Sequence, residues 1–141
     1  GGTVGSLEPK LTVSGGIVST AGITPDTRYP WGQCTWWAAT RRADIGKPIP
    51  GWGNAATWAG SAASAGYTVD GSPSAGSVIV FQPGVLGASA DYGHVAMVEE
   101  VRGDGSILIS ESNALGLGVV STREISASQL AAAGNGVRYI H

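Results

Sequence analysis

The apolar positions of the chain change from helical spacing to strand spacing near its middle. The Ala-rich and Arg-rich stretch after Cys34 predicts a helix from about residue 35 that ends near Gly46, because two prolines follow. A second helix is predicted at 54–65, with Asn54 as its N-cap. Later apolar runs predict strands at 77–81, 94–102, 107–111, 119–125 and 136–140, with a short helix at 128–133.

Two features indicate how these strands pair. The run at 77–81 is continuously apolar, which predicts a strand covered on both faces. The segment 103–106 (GDGS) predicts a tight turn between the strands at 94–102 and 107–111. Asp104 beside two glycines is also a feature of calcium loops, but the further spaced oxygen ligands are missing. The sequence therefore predicts an α+β fold, in which N-terminal helices pack on a mostly antiparallel sheet.

The first 27 residues differ in composition from the rest. They mix Thr, Ser, Gly and Pro with scattered apolar residues, so we expect a linker or N-terminal arm at 1–27, part of which lies against a domain at 28–141. The chain opens with two glycines and no basic or apolar leader, which is typical of a trimmed or mature piece. We expect a monomer that forms part of a longer multidomain protein.

Composition argues against several classes of function. The length of 141 residues fits one domain with its own core. A net charge of −2, without a basic stripe, argues against nucleic-acid binding. No apolar run approaches the roughly 20 residues that span a bilayer. The single cysteine cannot form an internal disulfide, and a charged fraction of 13% suits an exported protein.

The single cysteine has the setting of a nucleophile. Cys34 follows a break at Pro30 and Gly32 and lies at the start of the predicted first helix. There the free N–H groups and the helix dipole stabilise a thiolate, which can lower a thiol pKa from about 8.5 to between about 3.5 and 7.5. The alternative is an inert cysteine in a core of tryptophans, and this stretch alone does not decide between the two.

A histidine and an acidic residue complete the candidate site. His94 opens a predicted strand, and its imidazole could take the proton of Cys34 and pass it to a leaving amine. The hairpin brings Glu111 near His94, and Asn113 points the same way if the strand persists. Taken singly, Glu111 could be a solvated strand end and Asn113 a turn former, while His141 is the terminal residue.

Four short segments together resemble the motifs of one family. They lie at 31–37 (WGQCTWW), 53–59 (GNAATWA), 93–99 (GHVAMVE) and 111–113 (ESN). In this order they resemble the CHAP family, the cysteine/histidine-dependent amidohydrolase/peptidase domains, over residues 28–141. The resemblance implies a papain-like fold, related to that of NlpC/P60 peptidases. It also implies a peptidoglycan hydrolase that cleaves an amide bond, as an N-acetylmuramoyl-L-alanine amidase or a peptide endopeptidase.

The resemblance further implies a role for each residue of the site. Cys34 would be the nucleophile, His94 the general base and acid, Glu111 the group that orients His94, and Asn113 a further polar member. The Cys34 backbone N–H, with Gln33, would stabilise the oxyanion. The implied partner is bacterial peptidoglycan, and the implied setting is secreted, cell-wall associated or phage-encoded.

The sequence departs from the family pattern at two places. Gly76-Ser77 stands where members often have Gly-Asp. Some phage members bind calcium through several acidic residues upstream of the cysteine, whereas only Asp26 closely precedes Cys34 here. We therefore expect no metal and no other cofactor.

Two questions stay open at the level of sequence. Trp31 and Trp37 are candidate substrate-binding side chains, although tryptophans on helices are more often core, so we expect only one or two of the five to be exposed. The rival functions are an NlpC/P60-type peptidase, which typically uses a second histidine as its third member, and a non-catalytic cell-wall-binding module with a buried Cys34.

Overall fold

The computed structural model of the chain describes residues 2–141. Its helices are α1 (Cys34–Asp44), α2 (Trp58–Ser64) and α3 (Ala127–Ala133). The strands are β1 (Thr3–Ser6), β2 (Thr12–Ser14), β3 (Ile17–Ser19), β4 (Val69–Asp70), β5 (Val78–Phe81), β6 (His94–Arg102), β7 (Ile107–Ser112), β8 (Val120–Ile125) and β9 (Val137–Ile140). No helix of the described residues is long and apolar enough to cross a membrane.

The strands form one sheet with antiparallel neighbours. Their order is β2-β3-β8-β7-β6-β5-β9-β4, and β1 pairs with the far end of β6. The named strand pairs are all antiparallel. The predicted α+β class is therefore confirmed, and so is the strand predicted at 77–81, since every residue of β5 is buried.

The sheet has a core on each face because successive side chains of a strand point in opposite directions. Val78 and Val80 of β5 lie in one core, which α1 and α2 cover. Ile79 and Phe81 lie in the other, which α3 and the turn at Val85–Gly87 cover. The helices and strands thus enclose the central strands from both sides.

Helix α1 is fixed to the sheet by a buried polar network. The Arg41 guanidinium lies 2.8 Å from the Glu99 carboxylate on β6, and the Arg41 side chain is fully buried. Ser110 of β7 donates to the same carboxylate at 2.8 Å and accepts a bond from Trp37 Nε1 at 2.9 Å. The helix that begins at Cys34 therefore has a defined position relative to β6 and β7.

The second predicted helix is divided in two. A 3-10 turn at Ala55–Thr57 precedes α2, so the α-helical part is shorter than the predicted 54–65. Asn54 occupies the N-cap position of this turn, as predicted, although its side chain makes no capping bond. The Ala56 N–H instead donates to the Tyr92 carbonyl, at 2.9 Å, and this contact ties the turn to the loop before β6.

Part of the predicted N-terminal arm pairs with the sheet. Of residues 1–27, Gly1 lies outside the described residues, and the rest include β1, β2 and β3. Leu7 and Leu11 pack against the first core, and the Pro9 carbonyl accepts a 2.7 Å bond from Arg41. The segment thus lies along the body of the protein and contacts its buried network.

Candidate active site

A tight turn positions Cys34 at the N-terminus of α1. Gly32 has a φ of 81°, and its carbonyl accepts bonds from Ser112 Oγ at 2.8 Å and from the Gly118 N–H at 3.0 Å. A Cβ added to Gly32 would lie 2.7 Å from the Gly118 nitrogen, so a glycine is needed for this close approach. The turn before the cysteine is therefore attached to the end of β7 and the loop that follows it.

His94 and Glu111 are brought together on one face of the sheet. His94 is the first residue of β6, and its Nε2 lies 2.9 Å from Glu111 Oε1 on β7. The imidazole ring also packs against Phe81, with 5.5 Å between ring centroids. Because Glu111 occupies Nε2, the nitrogen that can exchange a proton with the Cys34 thiol is Nδ1.

The local environment favours the charged forms of these three groups. Burial raises the pKa of the Cys34 thiol, but hydrogen bonding to His94, the His94 charge and nearby backbone N–H groups lower it overall. Burial lowers the pKa of His94, but hydrogen bonds to Cys34 and Glu111 outweigh it and raise that pKa to about 9. Burial raises the pKa of Glu111, yet its bond to His94 and the charge of Arg123 hold it below its usual range. The site thus favours a thiolate beside an imidazolium.

Gln33 and Asn113 contact each other beside the cysteine. Gln33 is the N-cap residue of α1, and its Oε1 lies 3.1 Å from Asn113 Nδ2. Strand β7 ends at Ser112, and Asn113 has a φ of 64°, so the strand does not persist to Asn113 as its predicted orientation requires. Asn113 reaches Gln33, whereas Glu111 bonds His94. The Cys34 N–H lies in the first turn of α1, where backbone N–H groups have no intrahelical acceptor.

Two clefts meet at Cys34 and form a groove across it. The larger, about 620 Å³, extends past His94 and Glu111. The smaller, about 470 Å³, extends along 28–30 and 51–55. Both are lined by Gln33, Cys34, Tyr92 and Gly93. An extended ligand lying along this groove would pass directly over the thiol.

The two tryptophans predicted to bind substrate differ in exposure. Trp31 is 62% exposed and stacks on Trp36, with 5.9 Å between ring centroids. Trp37 is completely buried, with its Nε1 bonded to Ser110, so its prediction as a substrate-binding residue is wrong. The side chain points into the core because Trp37 lies on the face of α1 that packs on the sheet.

Arg123 is a member of the site that the sequence reasoning missed. Its Nε lies 2.9 Å from Glu111 Oε2, and its Nη2 lies 3.1 Å from Glu111 Oε1. Arg123 and Ile125 are alternate residues of β8, and Ile125 faces a core, so the alternation contained a signal that Arg123 also faces inward. Its partner depends on the pairing of β7 with β8, which was not predicted.

The second histidine has other partners. His141 Nε2 lies 2.7 Å from Asp70, and its Nδ1 lies 2.7 Å from Ser74 Oγ. His141 does not line either cleft that meets at Cys34. Glu111, and not a second histidine, is therefore the group bonded to His94. Among residues 2–141 no three His, Cys, Asp or Glu side chains are grouped so that they could hold a metal ion.

Comparison with known proteins gives a family and several relatives. The family model described as CHAP domain matches residues 24–113. The chain is 46% identical over 114 residues to a Staphylococcus aureus protein named "Probable autolysin SsaALP", covering 80% of this chain and 40% of that protein. It is 40% identical over 147 residues to the S. aureus N-acetylmuramoyl-L-alanine amidase sle1, covering 94% of this chain and 41% of that protein.

A solved structure has the same arrangement. The crystal structure of an N-acetylmuramoyl-L-alanine amidase from S. aureus superposes with a TM-score of 0.75 at 41% identity, covering 82% of this chain and 31% of the other. The chain thus spans less than half the length of each of these relatives.

Proposed function

The chain belongs to the CHAP domain family, and we propose that it is a peptidoglycan hydrolase that cleaves an amide bond through Cys34. The observation that carries the proposal is the 2.9 Å bond between His94 and Glu111, which leaves Nδ1 of His94 for Cys34 in a cleft of about 620 Å³. The name of one relative, an N-acetylmuramoyl-L-alanine amidase, supports the bond between the lactyl group of muramic acid and L-alanine as the target.

The first half of the reaction forms an acyl-enzyme. The Cys34 thiolate attacks the carbonyl carbon of the scissile amide, so that a bond forms between sulfur and carbon while the carbonyl oxygen takes the negative charge. The Cys34 backbone N–H at the start of α1 donates to that oxyanion, and the neighbouring Gln33 side chain, whose oxygen accepts a bond from Asn113, is a second candidate donor through its amide nitrogen. His94 then gives its proton to the leaving amine, and the carbon–nitrogen bond breaks.

The second half of the reaction restores the enzyme. Neutral His94 takes a proton from water, and the resulting hydroxide attacks the thioester carbon. The carbon–sulfur bond breaks, which releases the acid and returns the Cys34 thiolate beside the protonated imidazole. Glu111 stays ionised throughout and keeps the proton on Nε2 of His94, so that Nδ1 faces the reacting atoms.

The proposed setting follows from the substrate. An enzyme that cleaves cell-wall peptidoglycan acts outside the cytoplasmic membrane, so we propose a secreted or cell-wall-associated protein, or a phage-encoded one. Its relatives are longer than the matched region, which supports further domains in the whole protein. A module that only binds the wall would not require a pKa of Cys34 below its ordinary value.

Digestion of purified peptidoglycan tests this proposal. The wild-type protein should release fragments whose new termini, identified by mass spectrometry, are a free lactyl carboxylate and the amine of L-alanine. Cys34→Ala and His94→Ala should release none, whereas His141→Ala, the matched histidine control, should act like the wild type. New termini within the stem peptide would assign an endopeptidase instead. If the wild-type protein binds the wall but releases no fragments, the chain would be a non-catalytic wall-binding module.

A further inference from the structure

We propose that Arg123 is a positioning residue that holds the Glu111 carboxylate in the orientation required by His94. Arg123 does not touch the reacting atoms. Its guanidinium instead contacts both oxygens of the carboxylate that accepts the hydrogen bond from His94 Nε2. The inference deepens the proposed function and rests on it.

The geometry of the ion pair specifies one carboxylate orientation. Arg123 Nε and Nη2 donate to Oε2 and Oε1 of Glu111, at 2.9 and 3.1 Å, in the two-point arrangement that a planar guanidinium makes with a carboxylate. Oε1 also receives His94 Nε2 at 2.9 Å. A carboxylate held at both oxygens cannot rotate about its terminal torsion, so Oε1 stays in the plane that His94 requires.

The remaining nitrogen of the Arg123 guanidinium, Nη1, contacts the wall of the larger cleft. Arg123 Nη1 donates to the Leu86 carbonyl at 2.9 Å. Leu86 has a φ of 50°, which is unusual for a residue with a side chain and requires neighbouring contacts to maintain it. Leu86 lines the larger cleft together with His94, so Arg123 connects that wall to the catalytic carboxylate.

Packing fixes Arg123 itself. Its guanidinium carbon lies 5.6 Å from the centre of the Phe81 ring, and the His94 ring packs against the same phenyl group. On β7 and β8, Ile109 pairs with Arg123 and Glu111 pairs with Ser121, which places Arg123 and Glu111 diagonally on one face of the sheet. The sheet register and the phenyl ring therefore set the position of the guanidinium before any substrate binds.

The test compares Arg123→Lys and Arg123→Gln with the control Arg102→Gln. Arg102 also lies on a strand and pairs with two carboxylates, of Glu100 and Glu124, but does not line the cleft. A lysine keeps the charge but lacks the planar fork. We expect both Arg123 variants to lose kcat by about 10- to 100-fold through misplacement of His94, with a smaller change in KM. Arg102→Gln should keep the wild-type kcat.

A second readout needs no substrate. The chain has only two histidines, so the nitrogen NMR signals of His94 can be assigned by comparison with His141→Ala. Above a pH of about 9, where the wild-type ring is neutral, it should keep its single proton on Nε2, whereas both Arg123 variants should show mixed tautomers. If this change appears although wild-type protein cleaves no wall, only the proposed function fails.

Two results would overturn the inference. One is an Arg123→Lys protein with the wild-type kcat and the wild-type His94 tautomer, because a positive charge without the planar fork would then be enough to orient Glu111. The other is a folded Arg123→Gln protein whose His94 signals match those of the wild type. If Arg123→Gln does not fold, the Arg123→Lys tautomer measurement decides the question.

Discussion

The pKa values of Cys34 and His94 depend on each other, because each side chain is a cause of the other's shift. The pKa of the thiol lies below its ordinary value, and the pKa of the imidazole rises to about 9, chiefly because each group hydrogen-bonds the other against the effect of burial. Both shifts favour a thiolate beside a protonated imidazole. Glu111, whose own pKa is lowered, reinforces this from the far side of the ring.

We expect hydrolysis to have an alkaline limit set by His94. Because the imidazole must protonate the leaving amine, activity should fall as pH rises through about 9, where His94 loses its proton. Activity should also fall on the acid side, once the thiolate of the pair is protonated. The measurement is the pH dependence of kcat on soluble muropeptides. A rate that keeps rising above pH 9 would contradict the assignment of His94 as the acid.

Alkylation of Cys34 examines the thiol directly. We expect iodoacetamide to modify wild-type Cys34 at lower pH than an ordinary thiol, and His94→Asn to move that reaction to higher pH because the stabilising hydrogen bond is lost. The rate constants can be followed by intact-protein mass spectrometry. Identical pH profiles for the two proteins would mean that His94 does not stabilise the thiolate.

Single residues also show what the sequence can and cannot predict. Cys34, His94 and Glu111 were identified because a helix start and a hairpin place them by local rules. Trp37 was assigned to the wrong environment because its burial depends on which face of α1 meets the sheet. Arg123 was missed because its contact with Glu111 depends on the register between β7 and β8, which was not predicted.

At the scale of elements, the turn at Gly32 determines where α1 begins relative to β7. Two hydrogen bonds converge on its carbonyl, and the backbone of Gly118 lies against its Cα. The turn glycine was expected from the sequence as a break before the helix. Its contact with residues beyond β7 was not, because it joins segments more than 80 positions apart.

Alanine substitutions at Gly32 and Gly46 distinguish the effect of a positive φ angle from the effect of a steric clash. Gly32 and Gly46 have similar φ angles, 81° and 77°, but a Cβ meets backbone only at Gly32. Gly46→Ala should lower the free energy of unfolding by about 1 kcal/mol and leave the activity unchanged. Gly32→Ala should cost more and lose activity, because the turn before Cys34 must move. Urea unfolding measures the loss of stability, and wall digestion measures the loss of activity. Equal effects of the two substitutions would rule out the close approach of Gly32 to Gly118 as the cause.

A second pair of variants tests the network that fixes α1. Glu99→Gln removes the charge facing the buried Arg41 and should cost roughly 3 kcal/mol. Its neighbour Glu100 pairs with the more exposed Arg102, so Glu100→Gln should cost less than about 1 kcal/mol. Urea unfolding measures both. Similar costs would mean that the buried pair does not stabilise the helix position.

At the scale of the whole molecule, the N-terminal arm is the part whose role the sequence left most open. Its strands are short and largely exposed, so composition alone favours a linker. The long-range contacts of Leu7, Pro9 and Leu11 with the body nevertheless attach it to the first core and to Arg41. That part of the arm lies against the body was expected, whereas its pairing with the sheet through β1 and β3 was not, because such pairing depends on the partner strands.

Removal of residues 1–22 tests that attachment. We expect the shortened protein to have a lower Tm, because the first core loses Leu7, Leu11 and Val18 and Arg41 loses the Pro9 carbonyl. The folded fraction should keep the wild-type kcat, since the arm lines neither cleft at Cys34. An unchanged Tm would make the arm a passive linker.

The most direct test of the central claim is to trap the acyl-enzyme. Turnover of a soluble muropeptide would be stopped with acid, and the intact protein and its peptides analysed by mass spectrometry. The account predicts an added mass equal to the acyl part of the substrate on the peptide that contains Cys34, and no fragment release by Cys34→Ala. Release of the same fragments by Cys34→Ala at the wild-type rate would contradict it.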